Sequence, residues 1–282
     1  MEGAAELEVE TAKAVTSPES PPAQIETASP TNSPLAPTEG ATPTESQPTS
    51  VIPFTAESIG PGQQKAYSFQ SSSGEEVIFW LYLPEDYNEG QTWPLIVSLH
   101  GFLGFEPSLE SVRGQSPLAW VGPDVDLPFI VISPQAPSGS WAKYHEPMDE
   151  LIEFLDESLS IDPKAQFLTG LSTGAIAAWQ WVLALPDRFA GAAMISGGPS
   201  LNASDPVPEN ICLLKNLPVW IAHSEADERA PIEPTRAAVT ALEECGSTVV
   251  RFTTYNDLSH MDSVGTAFAG PELYDWMLEL TK

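Results

Sequence analysis

Basic residues are scarce in this chain: 11 Lys and Arg stand against 39 Asp and Glu in 282 residues, a net charge of −28. A field of that sign repels nucleic-acid phosphates and anionic membrane surfaces, so neither is an expected partner. Solubility or adaptation to salt accounts for the acidity better than a specific cationic partner does. Apolar runs are short as well. None approaches the ~20 residues that span a bilayer, so no transmembrane segment is predicted, and the N-terminus has neither a basic region nor an apolar signal core. Cysteine is nearly absent. Cys212 and Cys245 either form a disulfide, stabilising by about 3 to 4 kcal/mol through loop closure, or are two small buried hydrophobes. Neither is expected to be catalytic, because nothing nearby in sequence would lower a thiol pKa.

The first fifty residues have no aromatic residue at all and only five apolar aliphatics, Leu7, Val9, Val15, Ile25 and Leu35, with eight of the 28 prolines. That is too little apolar surface to offset the entropy of ordering, and residues 1–50 are predicted to be a disordered, Pro/Ser/Thr-rich acidic tail or linker. Eight glutamates against Lys13 give it −7, leaving −21 on residues 51–282. Every tryptophan, tyrosine and phenylalanine lies in that second part, which is long enough for one catalytic domain with a single core. A Pro/Ser/Thr-rich tether before a catalytic domain suits an exported or cell-surface enzyme whose signal has been removed; a cytoplasmic protein is the alternative.

What is present is a regular alternation of strands and helices. Ala66 to Phe69 and Glu76 to Leu83, rich in aromatic and β-branched residues, flank the turn signal Ser-Ser-Ser-Gly and are predicted to pair antiparallel. Pro94 to His100, Pro128 to Ile132, Gln166 to Thr169, Phe189 to Ile195, Pro218 to His223 and Thr248 to Thr254 are mostly continuous apolar runs, as in strands buried on both faces of a parallel sheet. Helices are predicted at Glu146 to Leu159, Ala175 to Leu185, Ile232 to Cys245 and Pro271 to Leu280. The fold class is α/β, with eight strands, mostly parallel, and helices on both faces.

Gly170-Leu171-Ser172-Thr173-Gly174 falls between a predicted strand and a predicted helix. A Gly-x-Ser-x-Gly string alone arises by chance, but at a strand-helix junction it describes a nucleophile elbow, whose glycines let strand and helix approach. Ser172 is therefore the candidate nucleophile. In that arrangement the acid and then the histidine follow the serine along the chain. His100 and His145 precede it, and His223 closes a strand with its acidic neighbours after it, so His260 remains as candidate general base, in a predicted loop from Asn256 to Asp262. Glu225, Asp227 and Glu228 compete for the acid. Asp227 is preferred because a short carboxylate a few residues past the strand end can reach the histidine's second nitrogen. The oxyanion donors are expected to be the backbone N–H groups of Thr173, next to the nucleophile, and Phe102, in the glycine-flanked loop His100-Gly101-Phe102-Leu103-Gly104. Leu103, Phe105, Trp141 and Met261, with Phe102, are candidate pocket residues; each could equally be core.

With these residues the chain resembles α/β-hydrolases related to the prolyl-oligopeptidase family, the group of esterases, predicted peptidases and polyhydroxybutyrate-depolymerase-like enzymes. The resemblance runs from about Tyr67 to the C-terminus. It rests on Leu-His-Gly-Phe-Leu-Gly (99–104), Ser-Pro-Gln-Ala-Pro (133–137) with Trp141, Leu-Thr-Gly-Leu-Ser-Thr-Gly (168–174) with Trp179, Pro-Asp-Arg-Phe-Ala (186–190), Pro-Val-Trp-Ile-Ala-His (218–223) with Asp227, and Pro-Glu-Leu-Tyr-Asp-Trp (271–276). In that family the acid follows the strand histidine by four positions, the place of Asp227, and the catalytic histidine stands where His260 does. Thr173, Ala175, Ser224 and the run Met261-Asp262-Ser263-Val264 depart from the usual pattern. The resemblance implies a serine carboxylic ester hydrolase acting through an acyl-enzyme on a small or polymeric ester, with no metal or organic cofactor. Ester is preferred to peptide because no propeller or gating domain is seen. The alternatives are a serine peptidase, a polyester or polysaccharide-ester depolymerase, and a catalytically silent binding module.

Overall fold

The computed structural model describes residues 52–282 except 106, 123, 124, 137–139 and 143. The predicted tail, residues 1–50, and Pro137 lie outside the described residues. The rest forms a nine-stranded sheet of order β1-β2-β3-β5-β4-β6-β7-β8-β9. Its strands are β1 (Ile52–Pro53), β2 (Gln64–Gln70), β3 (Glu76–Tyr82), β4 (Trp93–Leu99), β5 (Ile130–Pro134), β6 (Ile161–Leu171), β7 (Gly191–Ile195), β8 (Val219–Ser224) and β9 (Val250–Tyr255). Eight of these coincide, with shifted ends, with the runs read from sequence. The ninth, β1, is two residues long and too short to leave a pattern. β2 and β3 pair antiparallel, β3 meets β5 antiparallel, and every pair from β5 to β9 is parallel.

Successive residues of a strand point to opposite faces, and here each face has its own core. Leu95, Val97, Leu99, Ile130, Ile132 and Leu168 pack under α2 (His145–Ser158), α3 (Thr173–Ala184) and α4 (Glu233–Glu244). Ile96, Val131, Phe129, Phe167 and Leu171 face α1 (Leu109–Gly114), α5 (His260–Ala269) and α6 (Glu272–Glu279). With both faces covered, the central strands are mostly apolar, which explains why the sequence shows runs with little alternation.

Two helices escaped the sequence reading. α1 has six residues, fewer than two turns, and buries only Val112. α5 overturns the expected loop around His260. Ser259 caps it, its Oγ accepting from Asp262 N–H at 3.2 Å and donating to the Asp262 carboxylate at 2.6 Å. Val264 and Phe268, four apart, are both buried. His260 is thus the first residue of a capped helix. Among the described residues no helix is long and apolar enough to cross a membrane.

Cys212, in a short helical turn (Ile211–Leu214), and Cys245, at the end of α4, are joined as a disulfide with Cα atoms 5.4 Å apart and a sequence separation of 33. Cross-linking a loop of that length stabilises by about 3 to 4 kcal/mol in the chain-entropy model. A Cys212→Ser/Cys245→Ser variant is expected to lose about that much in urea unfolding and to keep its kcat, since the bridge lies outside the cleft described below. An unchanged midpoint would mean that the loop is already constrained by other contacts.

Candidate active site

Ser172 stands at the junction of β6 and α3 with φ 54° and ψ −116°. A non-glycine residue there costs roughly 1 to 3 kcal/mol, and it persists because the neighbours over-determine it. Ser172 N–H donates to Ile195 O at the end of β7 (2.9 Å), while its own carbonyl accepts from Ala175 N–H (2.9 Å) and Ile176 N–H (3.2 Å) in the first turn of α3. The flanking glycines are sterically required. A Cβ on Gly170 would collide with Gly174 O, and one on Gly174 with the carbonyls of Leu99 and His100 at the end of β4. A Cβ on Gly197 would lie 2.7 Å from Ser172 O. The serine side chain is thereby lifted above the carboxyl ends of the parallel strands, where α/β sheets bind their ligands.

Asp227 lies in the turn after β8. Its Oδ1 accepts from the N–H groups of Arg229 and Ala230, both at 2.9 Å, and its Oδ2 meets His260 Nδ1 at 2.7 Å. Burial pushes this carboxyl's pKa up, but the bonds from Ala230 N–H, His260 and Arg229 N–H outweigh it, so the net direction is down. His223, fully buried at the end of β8, adds a further contact, its Nε2 lying 3.3 Å from Asp227 Oδ2 and 3.1 Å from Ala230 O. Both of those atoms only accept, so Nε2 carries the proton and Nδ1 accepts from Thr235 Oγ1 (2.9 Å). Burial holds the His223 pKa down, which keeps the ring in this neutral form.

The other two acids that compete in the sequence are engaged elsewhere. Glu225 pairs with Arg236. Glu228 accepts the backbone N–H of His260 at 3.2 Å and pairs loosely with Arg229 at 3.5 Å. Of the three, Asp227 is the one whose carboxylate reaches the imidazole. Ser224 ties this turn to β9: its Oγ donates to Tyr255 O and accepts from Ala226 N–H, both at 3.1 Å.

Ser172 and His260 line one cleft of about 310 Å³, together with Gly101, Phe102, Gln115, Leu171, Thr173, Leu201, Arg229 and Met261. That is the lower end of the size range of small-molecule sites. The loop after β4 is held through Gly101. His100 Nδ1 donates to Gly101 O (2.6 Å), and His100 Nε2 accepts from Ala136 N–H (3.0 Å). Burial lowers the His100 pKa and so preserves this neutral tautomer. A trans peptide sets its C=O and N–H in opposite directions, so the bond to Gly101 O turns Phe102 N–H away from His100.

A family model described as Esterase matches residues 71–247. The chain belongs to the esterase family. A poly(3-hydroxyalkanoate) depolymerase C from Paucimonas lemoignei is 30% identical over 122 residues, which are 38% of this chain and 28% of that protein. A "Probable feruloyl esterase C" from Aspergillus oryzae is 27% identical over 124 residues, 42% of this chain and 45% of that one. The chain thus matches less than half the length of these curated relatives. Among solved structures, a thermostable esterase superposes with a TM-score of 0.66 at 27% identity, over 77% of this chain and 62% of that chain. The CE1 ferulic acid esterase of Anaeromyces mucronatus shares the fold at a TM-score of 0.55 and 15% identity, over 73% and 88%. The fold is that of the α/β-hydrolases.

Not every pocket residue named from sequence reaches the cleft of Ser172 and His260. Phe102 and Met261 line it. Phe105, 75% exposed, lies outside the lining and sets its ring edge-on to Phe102, which is itself 57% exposed. Leu103 packs instead against the core under α1, α5 and α6. Trp141 is turned away altogether. Its indole N–H donates to His100 O (2.9 Å), its ring lies 4.9 Å from that of His100, and it borders a separate hollow of about 30 Å³ with Tyr144 and Met148. Gln115, Leu201 and Arg229 were missed. No local pattern announces them, because the loops that carry them meet only in the folded chain.

Proposed function

We propose that this protein is a serine carboxylic ester hydrolase in which Ser172 is the nucleophile, His260 the general base and Asp227 the acid that orients it, with residues 51–282 as the catalytic unit. The observation that carries this reading is the 2.7 Å bond from His260 Nδ1 to Asp227 beside a serine at φ 54° that shares a cleft with His260. With Nδ1 donating to the carboxylate, Nε2 is the free base. Ser172 Oγ attacks the ester carbonyl carbon and its proton passes to His260 Nε2. The oxyanion is held by the N–H groups of Phe102 and Thr173. Collapse breaks the acyl C–O bond, and Nε2 returns the proton to the departing alkoxide. Water, deprotonated by the same nitrogen, then attacks the acyl-enzyme carbonyl and frees the acid and Ser172.

Phe102, Leu201 and Met261, all exposed at the cleft, give it an apolar wall. That favours the ester of an apolar or aromatic acid, in keeping with the names of the relatives, one a depolymerase of a hydroxyacid polyester and one a feruloyl esterase. The test is labelling with a fluorophosphonate, peptide mapping of the adduct, and turnover of p-nitrophenyl esters beside a peptide p-nitroanilide. The expected result is one adduct, on Ser172, with ester turnover and no anilide cleavage. Comparable anilide cleavage would make the protein a peptidase. A folded protein that neither labels nor turns over would be a silent binding module.

A further inference from the structure

We infer that Gln115 belongs to the machinery of the site proposed above: its Oε1 pins the loop that carries Phe102, and its Nε2 donates a hydrogen bond to the ester group in the cleft. This rests on the hydrolase reading, and it adds a side-chain donor to the two backbone donors.

Gln115 closes α1, with its own N–H donating to Val112 O at 3.1 Å. Its side chain lines the cleft with Ser172 and His260. Oε1 accepts from Gly101 N–H at 3.0 Å. A backbone N–H only donates, so the amide's orientation is fixed: oxygen toward Gly101, nitrogen on the other side. A Cβ on Gly101 would lie 3.2 Å from Gln115 Oε1 and 3.2 Å from Ser172 Cβ. The amide and the nucleophile therefore flank the same glycine. Among the described residues Gln115 Nε2 has no protein acceptor, and it is not among the sealed, unpartnered atoms. An oriented, solvent-reached donor beside the nucleophile suits a substrate oxygen that becomes more negative in the transition state.

The loop argument is independent of the donor argument. Gly101 is held at its carbonyl by His100 and at its N–H by Gln115. The second bond removes Gly101 N–H from use and leaves the next donor, Phe102 N–H, for the oxyanion. Without Gln115 the Gly101 peptide is held at its carbonyl only, and between that bond and Leu103, which packs against the core, the exposed Phe102 ring adds little to fix the donor.

Two substitutions separate the roles. Gln115→Met keeps the length but neither bonds Gly101 nor donates. Gln115→Glu keeps an acceptor for Gly101 and loses the donor, placing negative charge where the oxyanion forms. Both are expected to lower kcat for a p-nitrophenyl ester by about 10- to 100-fold, below the roughly 10²- to 10³-fold cost of removing one water-excluded oxyanion donor, because this one is reached by solvent. KM should move by less than about threefold, as for an interaction made only in the transition state. Gln115→Glu, which keeps the loop tie, should melt within a few degrees of wild type and still be no better a catalyst than Gln115→Met. A Gln115→Glu enzyme within about threefold of wild-type kcat would overturn the donor role. A Gln115→Met enzyme with wild-type kcat would overturn the whole assignment. Wild-type turnover, measured alongside, tests the hydrolase reading separately.

Discussion

Ser172→Ala is expected to lower kcat/KM for a simple ester by about 10⁴- to 10⁶-fold while leaving the protein folded. The size follows from losing the only atom that can form the acyl-enzyme; what remains is whatever binding and the oxyanion donors achieve with water. The fold should hardly notice, because the elbow is held through the backbone of Ser172, bonded to Ile195, Ala175 and Ile176. Alanine keeps those bonds and the same strain at φ 54°. Ser172→Gly removes the strain as well, and is expected to be as inactive as the alanine variant yet more stable than it, by about 1 kcal/mol in urea unfolding. The pair thus separates the chemical role of the hydroxyl from the conformational cost of the site. Turnover by either variant within tenfold of wild type would remove Ser172 from the mechanism.

The elbow could be read from sequence because everything it needs is local. A strand, a sharp turn and a helix lie within about twenty residues, and the two glycines are demanded by contacts with Gly174 O, Leu99 O and His100 O. The strands were legible for a similar reason: burial on both faces by two cores writes itself as an apolar run. Ends were less clear. β6 begins at Ile161, five residues before the apolar run, and reaches it through Pro163 and a register shift against β4. A proline with no N–H does not look like sheet. The cleft was the least legible part. Trp141 near the His100 loop looked like a pocket wall, but whether an indole faces substrate or a carbonyl depends on where His100 O lies in three dimensions. Gln115 shows the converse, since a lone glutamine fourteen residues from Gly101 carries no signal until the chain folds. A capped helix hid in the expected loop at His260 because Ser259 and Asp262 read as turn residues, and the same two residues make a good N-cap.

Asp227→Asn is expected to cost about 10³- to 10⁴-fold in kcat/KM at neutral pH, for a reason of proton placement rather than shape. Oδ1 must accept from two backbone N–H groups, those of Arg229 and Ala230, so an asparagine at this position keeps its oxygen there and turns its NH₂ toward His260. Nδ1 of His260 would then have to accept, its proton would move to Nε2, and the nitrogen facing the cleft could no longer take the proton of Ser172. The same NH₂ would oppose the Nε2–H of His223, 3.3 Å from Oδ2 in the wild type. Glu225→Gln, at a residue already paired with Arg236, is the control and should leave kcat within about threefold. Stability carries a second signature. Asp227 has its pKa below the ordinary carboxylate range, because hydrogen bonds to the ionised form outweigh the effect of burial. A folded pKa below the unfolded ~3.9 means that the charged carboxylate stabilises fully above that pH and less as pH falls through the folded value. The deficit of Asp227→Asn relative to wild type should therefore shrink below about pH 5, as the wild-type carboxyl takes up its proton. A deficit that grows below about pH 5, or an asparagine variant within tenfold of wild-type turnover, would take Asp227 out of the role of orienting His260.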